Sequence, residues 1–150
     1  MPVDNLIANS KIPEEIRERM EKLLESDENA VFALIGDLDL KGRYGLSAVI
    51  VTERRVFAFD KSHPDGLLII NIAQIKQAKV KRMYGNAMLC AQFEDSKVNL
   101  IRFTYSIAAL ADAAADFLLA VSQGQALEKE IEAVEATFEK MKAFCPKCGR

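Results

Sequence analysis

The stretch 43–60 constrains the fold of this chain more than any other part of the sequence. It contains two segments rich in β-branched and aromatic residues, joined by charged residues, which is the pattern of a β-hairpin. Residues 52–55 are polar, and we expect them to form an exposed four-residue connection. Alternation gives each strand one apolar face, made by Leu46, Ala48 and Ile50 in the first strand and by Phe57 and Phe59 in the second. We expect this hairpin to lie in the middle of an antiparallel sheet.

Period-two alternation continues on both sides of the hairpin. Turn residues such as Lys41-Gly42 and Gly85-Asn86 separate the apolar segments. The pattern predicts seven short strands, at 31–38, 46–52, 56–59, 67–72, 76–83, 88–93 and 98–104. Short strands at even spacing favour a meander that curls into a barrel or a two-sheet sandwich. The sequence therefore predicts an α+β, mainly β domain over residues 30–122.

Helices are predicted before and after the strands. Pro13 and the following acidic residues begin an amphipathic helix at 13–25, within an N-terminal segment 1–29. After the last strand, a broad apolar stripe at 107–121 predicts a helix that closes the barrel, with Ser106 as its N-cap.

A further helix is predicted in the segment 123–144. Its apolar residues follow heptad spacing and are Leu127, Ile131, Val134, Phe138 and Met141. The seam covers about two heptads, which is short for a coiled coil. Two alternatives stay open: a linker helix with a lightly covered seam that rests on the barrel, and a homodimer formed through the helix 125–143.

Composition excludes several classes of protein. The 150 residues include 20 basic and 22 acidic side chains, so no overall field attracts nucleic acid. The longest apolar stretch is interrupted by Asp112 and Asp116 and is shorter than the roughly 20 residues of a membrane span. The N-terminus lacks the pattern of a secretory signal, and three cysteines do not make a disulfide framework. We therefore expect a cytoplasmic protein.

The most specific site pattern is the pair Cys145 and Cys148, in the sequence Cys-Pro-Lys-Cys-Gly. Two thiolates at this spacing are typical of a zinc knuckle, but tetrahedral zinc needs four ligands. The segment 145–150 therefore predicts half of a zinc site, to be completed by a second pair of ligands. A redox-active pair and two free thiols in a frayed tail are the alternative interpretations.

A second candidate site is an anion contact through Lys41 and Arg43, in the first loop between predicted strands. A further basic cluster comprises Lys76, Lys79, Lys81 and Arg82, although alternating lysines also protect a strand edge against aggregation. We expect His63, Asp37 and Asp39 to be ordinary exposed polar residues. The sequence has no phosphate-binding glycine motif and no combination of nucleophile and base that indicates an enzyme.

The predicted barrel, and in particular the run Val-Thr-Glu-Arg-Arg-Val at 51–56, resembles the bacterial pleckstrin-homology-like domains. With the long helix and the final Phe-Cys-Pro-Lys-Cys-Gly-Arg, the order of parts is similar to the N-terminal cytoplasmic region of certain bacterial ABC transporters. The resemblance implies that Cys145 and Cys148 begin a zinc-ribbon-like insert whose second half would lie past residue 150.

This resemblance implies a non-catalytic cytoplasmic module that docks on a protein partner or on its own transporter dimer. The alternative is a phosphoinositide-independent module that binds anionic lipid or a membrane surface through Lys41 and Arg43. A small enzyme is the third hypothesis, and no catalytic residue is identified for it.

Overall fold

A computed structural model describes residues 7–125 and 127–143. The strands are β1 (Ile7–Ala8), β2 (Ala30–Leu38), β3 (Tyr44–Thr52), β4 (Arg55–Phe59), β5 (Leu67–Asn71), β6 (Gln77–Met83), β7 (Asn86–Gln92) and β8 (Lys97–Phe103). The helices are α1 (Glu14–Leu23), α2 (Ala108–Ser122) and α3 (Leu127–Ala143). All seven predicted strands and all three predicted helices are present. The two-residue strand β1 is an addition that the sequence did not reveal, because it is too short to show alternation.

The strands follow one another in the order β5-β4-β3-β2-β8-β7-β6, and consecutive neighbours pair antiparallel. β2 joins the two halves through a single pair with β8, Leu38 with Arg102, and it pairs with β1 in parallel at its other end. The predicted hairpin is β3–β4, but it lies in one half of the sheet, and the central strand is β2. The predicted α+β, mainly β fold is confirmed.

The connection in the hairpin differs from the prediction. Val51 pairs with Val56, and β4 begins at Arg55, so the turn between the strands is Glu53-Arg54. Thr52 is fully buried, which contradicts the expectation of an exposed connection over 52–55. Its hydroxyl donates a hydrogen bond to the Glu28 carboxylate at 2.7 Å and accepts one from the Arg55 amide at 2.8 Å. Thr52 is buried because its hydroxyl has these partners.

The β3–β4 hairpin has apolar side chains on both faces. One face belongs to the inner core, the large cluster enclosed by the sheet, α2 and α3, and the other face packs against α1. We call the second group the outer cluster. It comprises Ile12, Ile16, Met20, Ala33, Ala48, Ile50, Phe57 and Phe59. The predicted faces are thus correct, except that Leu46 remains 50% exposed.

The helix α2 packs against β6, β7 and the turn at 72–74. It begins at Ala108 with Ile107 in the cap position, so the predicted cap position at Ser106 is wrong. Leu110, Phe117 and Leu118 are buried in the inner core, which confirms the predicted closing role of this helix.

The helix α3 packs against α2 and β1 through its heptad seam. Val134 and Phe138 are 2% and 3% exposed and belong to the inner core, so the expected lightly covered seam is wrong for these residues. The Phe32 ring lies edge-on to Phe117 at 5.2 Å between centroids and tilted against Phe138 at 6.2 Å. The side chain of Met141 lies outside the described part. The seam that the homodimer alternative requires is therefore in contact with α2 and β1 of the same chain. The predicted domain boundaries at 29, 122 and 144 stay predictions.

Candidate interaction surface

Three loops meet at one end of the sheet. Asp60 accepts a hydrogen bond from the Leu40 amide at 3.0 Å, which fixes the β4–β5 loop to the β2–β3 loop. Arg102 donates to the Leu40 carbonyl at 3.0 Å and to the Asn86 side chain at 2.9 Å, which adds the β6–β7 turn. We call the surface made by residues 37–44, 60–66 and 84–86, together with Arg102, the loop end. These partners are distant in sequence, so the sheet topology creates the surface.

Asp39 organises the β2–β3 loop. Its carboxylate is 1% exposed and accepts hydrogen bonds from the amides of Lys41 at 2.9 Å and Arg43 at 3.0 Å. It also forms ion pairs with Arg43 at 3.2 Å and with Lys61 at 3.3 Å. The hydrogen bond from the Arg43 amide is the main cause that lowers the pKa of Asp39 to about 2. The prediction of an ordinary exposed acid is therefore wrong for Asp39.

The predicted anion contact, Lys41 and Arg43, lies on the loop end, and both side chains are exposed. Arg43 forms an ion pair with Asp39. Gly42, which lies between Lys41 and Arg43, has a φ of +88°, a conformation that favours glycine. The charges of this surface balance, because its four basic residues are matched by four acidic ones. They are Lys41, Arg43, Lys61 and Arg102 against Asp37, Asp39, Asp60 and Asp65.

Two tyrosines are the most exposed aromatic side chains of the described residues. Tyr44 is 86% exposed at the start of β3, and Tyr84 is 102% exposed in the β6–β7 turn. Both stand beside segments that Arg102 contacts. The sequence analysis missed them, although an aromatic residue beside a turn glycine, as in Tyr84-Gly85, could have been a signal.

A groove of about 510 Å³ continues from the loop end along α1. Ile16, Leu46 and Phe59 provide apolar lining, and Arg19 and Lys61 are among its charged residues. The Arg19 guanidinium lies 5.3 Å from the centre of the Phe59 ring, a cation–π contact. The groove is thus apolar at its floor and charged at its rim.

At the opposite end of the hairpin, Glu28 is fully buried against Arg55. The Arg55 guanidinium also donates to the Leu23 carbonyl at 3.1 Å, so this ion pair ties the end of α1 to β4. Burial acts to raise the pKa of Glu28, but hydrogen bonds from Arg55, Thr52 and the Glu25 backbone outweigh it and lower the pKa to about 2. These groups are satisfied by each other and form a structural contact.

The predicted metal ligands and His63 are considered separately. Cys145 and Cys148 lie outside the described residues, and within the described ranges no three His, Cys, Asp or Glu side chains are grouped to hold a metal ion. His63 is half-buried, which contradicts the expected exposed position, and its Nε2 has no hydrogen-bond partner among the described residues. Among the helices of the described part, none is long and apolar enough to cross a membrane.

Solved structures that are similar to this chain include two proteins with a pleckstrin-homology domain. A DUF1696 family protein with a pleckstrin-homology domain from Shewanella loihica PV-4 is 14% identical, with a TM-score of 0.43, and the match covers 63% of this chain and 84% of that chain. The Vps36 N-terminal PH domain is 13% identical, with a TM-score of 0.39, over 75% of this chain and 83% of that chain. No family profile and no curated protein matches the chain. Both similar proteins contain a pleckstrin-homology domain, and the predicted transporter and zinc-ribbon context stays a prediction.

Proposed function

We propose that this chain is a non-catalytic interaction module that binds a protein partner through the loop end. The observation that carries the proposal is the exposure of Tyr44 and Tyr84, at 86% and 102%, on segments held together by Arg102. Tyrosine and arginine are enriched in protein interfaces and supply much of their binding energy. Burial of these large exposed aromatic side chains by a protein partner would therefore be favourable.

The charge balance of the loop end favours a protein over an anionic membrane. A free lysine or arginine near an anionic bilayer contributes about 1 kcal/mol. Here Arg43 and Lys61 share the Asp39 carboxylate, and the four cations face an equal number of acids. The net attraction to lipid head groups is accordingly small. A protein can match both signs of charge and can also cover the tyrosine rings.

The groove along α1 extends the same surface. Leu46 is half exposed, lines this groove and lies two residues after Tyr44 on the same strand face. A partner that covers Tyr44 would thus reach the apolar floor at Phe59. This geometry suits a protein segment with one apolar side chain between polar ones.

The cellular context of the module is a separate hypothesis. We infer from the sequence Phe-Cys-Pro-Lys-Cys-Gly-Arg at 144–150 that the module belongs to a bacterial ABC transporter and lies on the cytoplasmic side. In that context Cys145 and Cys148 would supply half of a zinc site. Measuring bound zinc in the chain and in a Cys145→Ser, Cys148→Ser variant tests the metal hypothesis, since equal zinc in both would contradict it.

Site-specific photo-crosslinking in cells tests the docking surface. A photoreactive residue at position 44 or 84 should capture the same protein, whereas the exposed position of Glu94, in the β7–β8 turn, serves as the control. The captured protein should then bind the purified chain and lose affinity at least tenfold for a Tyr44→Ser, Tyr84→Ser variant. Equal capture from position 94, or unchanged affinity, would contradict the proposal.

Vesicle flotation tests the lipid alternative. The chain should stay unbound with neutral vesicles and with vesicles containing phosphatidylserine. Binding that needs the anionic lipid and is lost in a Lys41→Glu, Arg43→Gln variant would establish the lipid function instead. The fold should be retained, because Asp39 keeps its ion pair with Lys61 and its hydrogen bonds from the amides of residues 41 and 43.

A further inference from the structure

The outer face of β6, β7 and β8 is basic. Lys79 and Lys81 are exposed and alternate along β6, so they point to the same side of the sheet, about 7 Å apart. The strand register adds Lys97 to this side, because Gln77 pairs with Gln92 and Gln92 pairs with Lys97. We call Lys79, Lys81 and Lys97 the lysine face. Among the described residues, the large exposed apolar side chains all lie elsewhere.

Charge is segregated along the chain. Residues 76–102 contain six basic and two acidic side chains, whereas the rest of the chain contains 14 basic and 20 acidic ones. The near-zero total charge thus conceals a positive half of the sheet in an otherwise acidic molecule. A charge distribution of this kind produces an attraction between copies that salt weakens.

An acidic surface with matching spacing lies on α3. Glu128, Glu132 and Glu135 are exposed and follow one another at intervals of four and three residues, so they share one side of the helix. We call these three residues the acidic stripe. Glu128 and Glu132 are about 6 Å apart along the helix axis, close to the spacing of Lys79 and Lys81. The apolar seam of the same helix is used inside the chain, which leaves the acidic stripe available.

We propose that the lysine face binds the acidic stripe of a second copy of this chain. In the described part of the chain, no ion pair engages any of these six side chains. Among the described residues, no large exposed apolar or aromatic side chain lies on the lysine face. The lysine face therefore lacks the aromatic rings on which single-stranded nucleic acid stacks and the apolar groups that insert into lipid. Paired exposed charges give a weak contact, so the association is reversible and sensitive to salt.

The contact joins two different surfaces of the molecule. Copies can therefore associate reciprocally in a dimer, or head to tail with a free lysine face at one end and a free acidic stripe at the other. The inference is independent of the loop end, because neither surface includes Tyr44, Tyr84 or Arg102.

Sedimentation of the full chain at low and high salt tests the proposal. We expect the weight-average mass to rise with protein concentration at low salt and to return to the monomer value at high salt. A monomer under both conditions would overturn the proposal. Association that persists at high salt would also overturn it and would indicate an apolar contact.

Charge-reversal variants identify the surfaces. A Lys79→Glu, Lys81→Glu variant and a Glu128→Lys, Glu132→Lys variant should each be monomeric at low salt, whereas an equal mixture of the two should associate again. The matched control is Lys11→Glu, Lys22→Glu, which changes the net charge equally at two exposed positions outside both surfaces and should still associate. Association of the Lys79→Glu, Lys81→Glu variant alone, or a mixture that stays monomeric, would contradict the proposal.

These variants also separate the proposal from a purely protective role of the lysines. Reversed charges still protect the terminal strand β6 against edge-to-edge pairing, so the protective role predicts no change in the measured mass. Thermal melting of each variant checks that the fold is retained, as expected for exposed side chains.

Discussion

The inner core and the outer cluster share the β3–β4 hairpin but are closed by different means. The inner core is closed by α2 and α3, whose Phe117 and Phe138 contact the ring of Phe32. The outer cluster is closed by the ten-residue helix α1, which contributes Ile16 and Met20. The first closure depends on the packing of large rings.

The second closure depends more on charged groups. Arg55 ties the end of α1 to the hairpin through Glu28 and the Leu23 carbonyl. The neighbouring Arg54 pairs with Glu25 at 3.0 Å and with Asp27 at 2.9 Å. The same strands thus belong to one region whose stability responds to side-chain volume and to another whose stability responds to pH. Four substitutions test this difference.

The largest expected effect is in the inner core. Phe117→Ala should lower the free energy of unfolding by about 3 to 5 kcal/mol, because it empties a buried aromatic site. Phe138→Ala should fall in the same range, since Phe138 is 3% exposed. Urea titration measures both values, with the fully exposed Tyr84→Ala as a control below about 0.5 kcal/mol. A cost below about 1 kcal/mol for Phe138→Ala would show that α3 is a detachable linker.

The second prediction concerns acid and the outer cluster. The pKa of Glu28 is lowered from 4.5 to about 2, so its contribution is present above pH 4.5 and is lost as the pH falls towards 2. The contribution is on the order of 3 kcal/mol. Glu28→Gln should destabilise the chain at neutral pH by about 2 to 3 kcal/mol and flatten the acid dependence, because Arg55 loses its charged partner.

Hydrogen exchange tests whether acid acts first on the outer cluster. As the pH falls through this range, and after correction for intrinsic exchange rates, the amides of α1 should lose protection before those of β7 and β8. Part of the acid dependence should remain in Glu28→Gln, because the pKa of Asp39 is lowered to about 2 as well. Simultaneous loss of protection in α1 and the inner strands would mean that the two clusters unfold as one unit.

The smallest effect is expected where the two halves of the sheet meet. A Cβ atom at Gly36 would lie 2.5 Å from the Ser47 hydroxyl and 3.1 Å from the Arg102 carbonyl. Gly36→Ala should therefore cost about 1 to 3 kcal/mol through overpacking. Gly45→Ala is the matched control, because nothing lies within 4 Å of its Cβ position. Equal melting temperatures for the two variants would show that the junction between the halves can widen without cost.

Much of the fold could be predicted from local sequence patterns. The strand boundaries differ from the prediction by two residues or fewer, because alternation and turn residues are both local signals. Turn glycines at positions 42, 66 and 85 indeed have positive φ angles. The candidate site was predicted only in part. Lys41 and Arg43 are on the loop end, but the tyrosines beside them were not recognised, since their exposure depends on how the loops meet.

Residue period and turn chemistry, which act within a few positions, specify the strands, the helices and the apolar faces. The tertiary structure alone decided which polar residues are buried. Glu28 pairs with Arg55 across 27 positions, and the buried Asp60 accepts a hydrogen bond from the Leu40 amide across 20. Burying such a group is tolerated when a partner satisfies it, and the partner is known only when distant strands are brought together. The central position of β2 in the sheet and the place of α3 in the inner core also depend on contacts between distant parts of the chain.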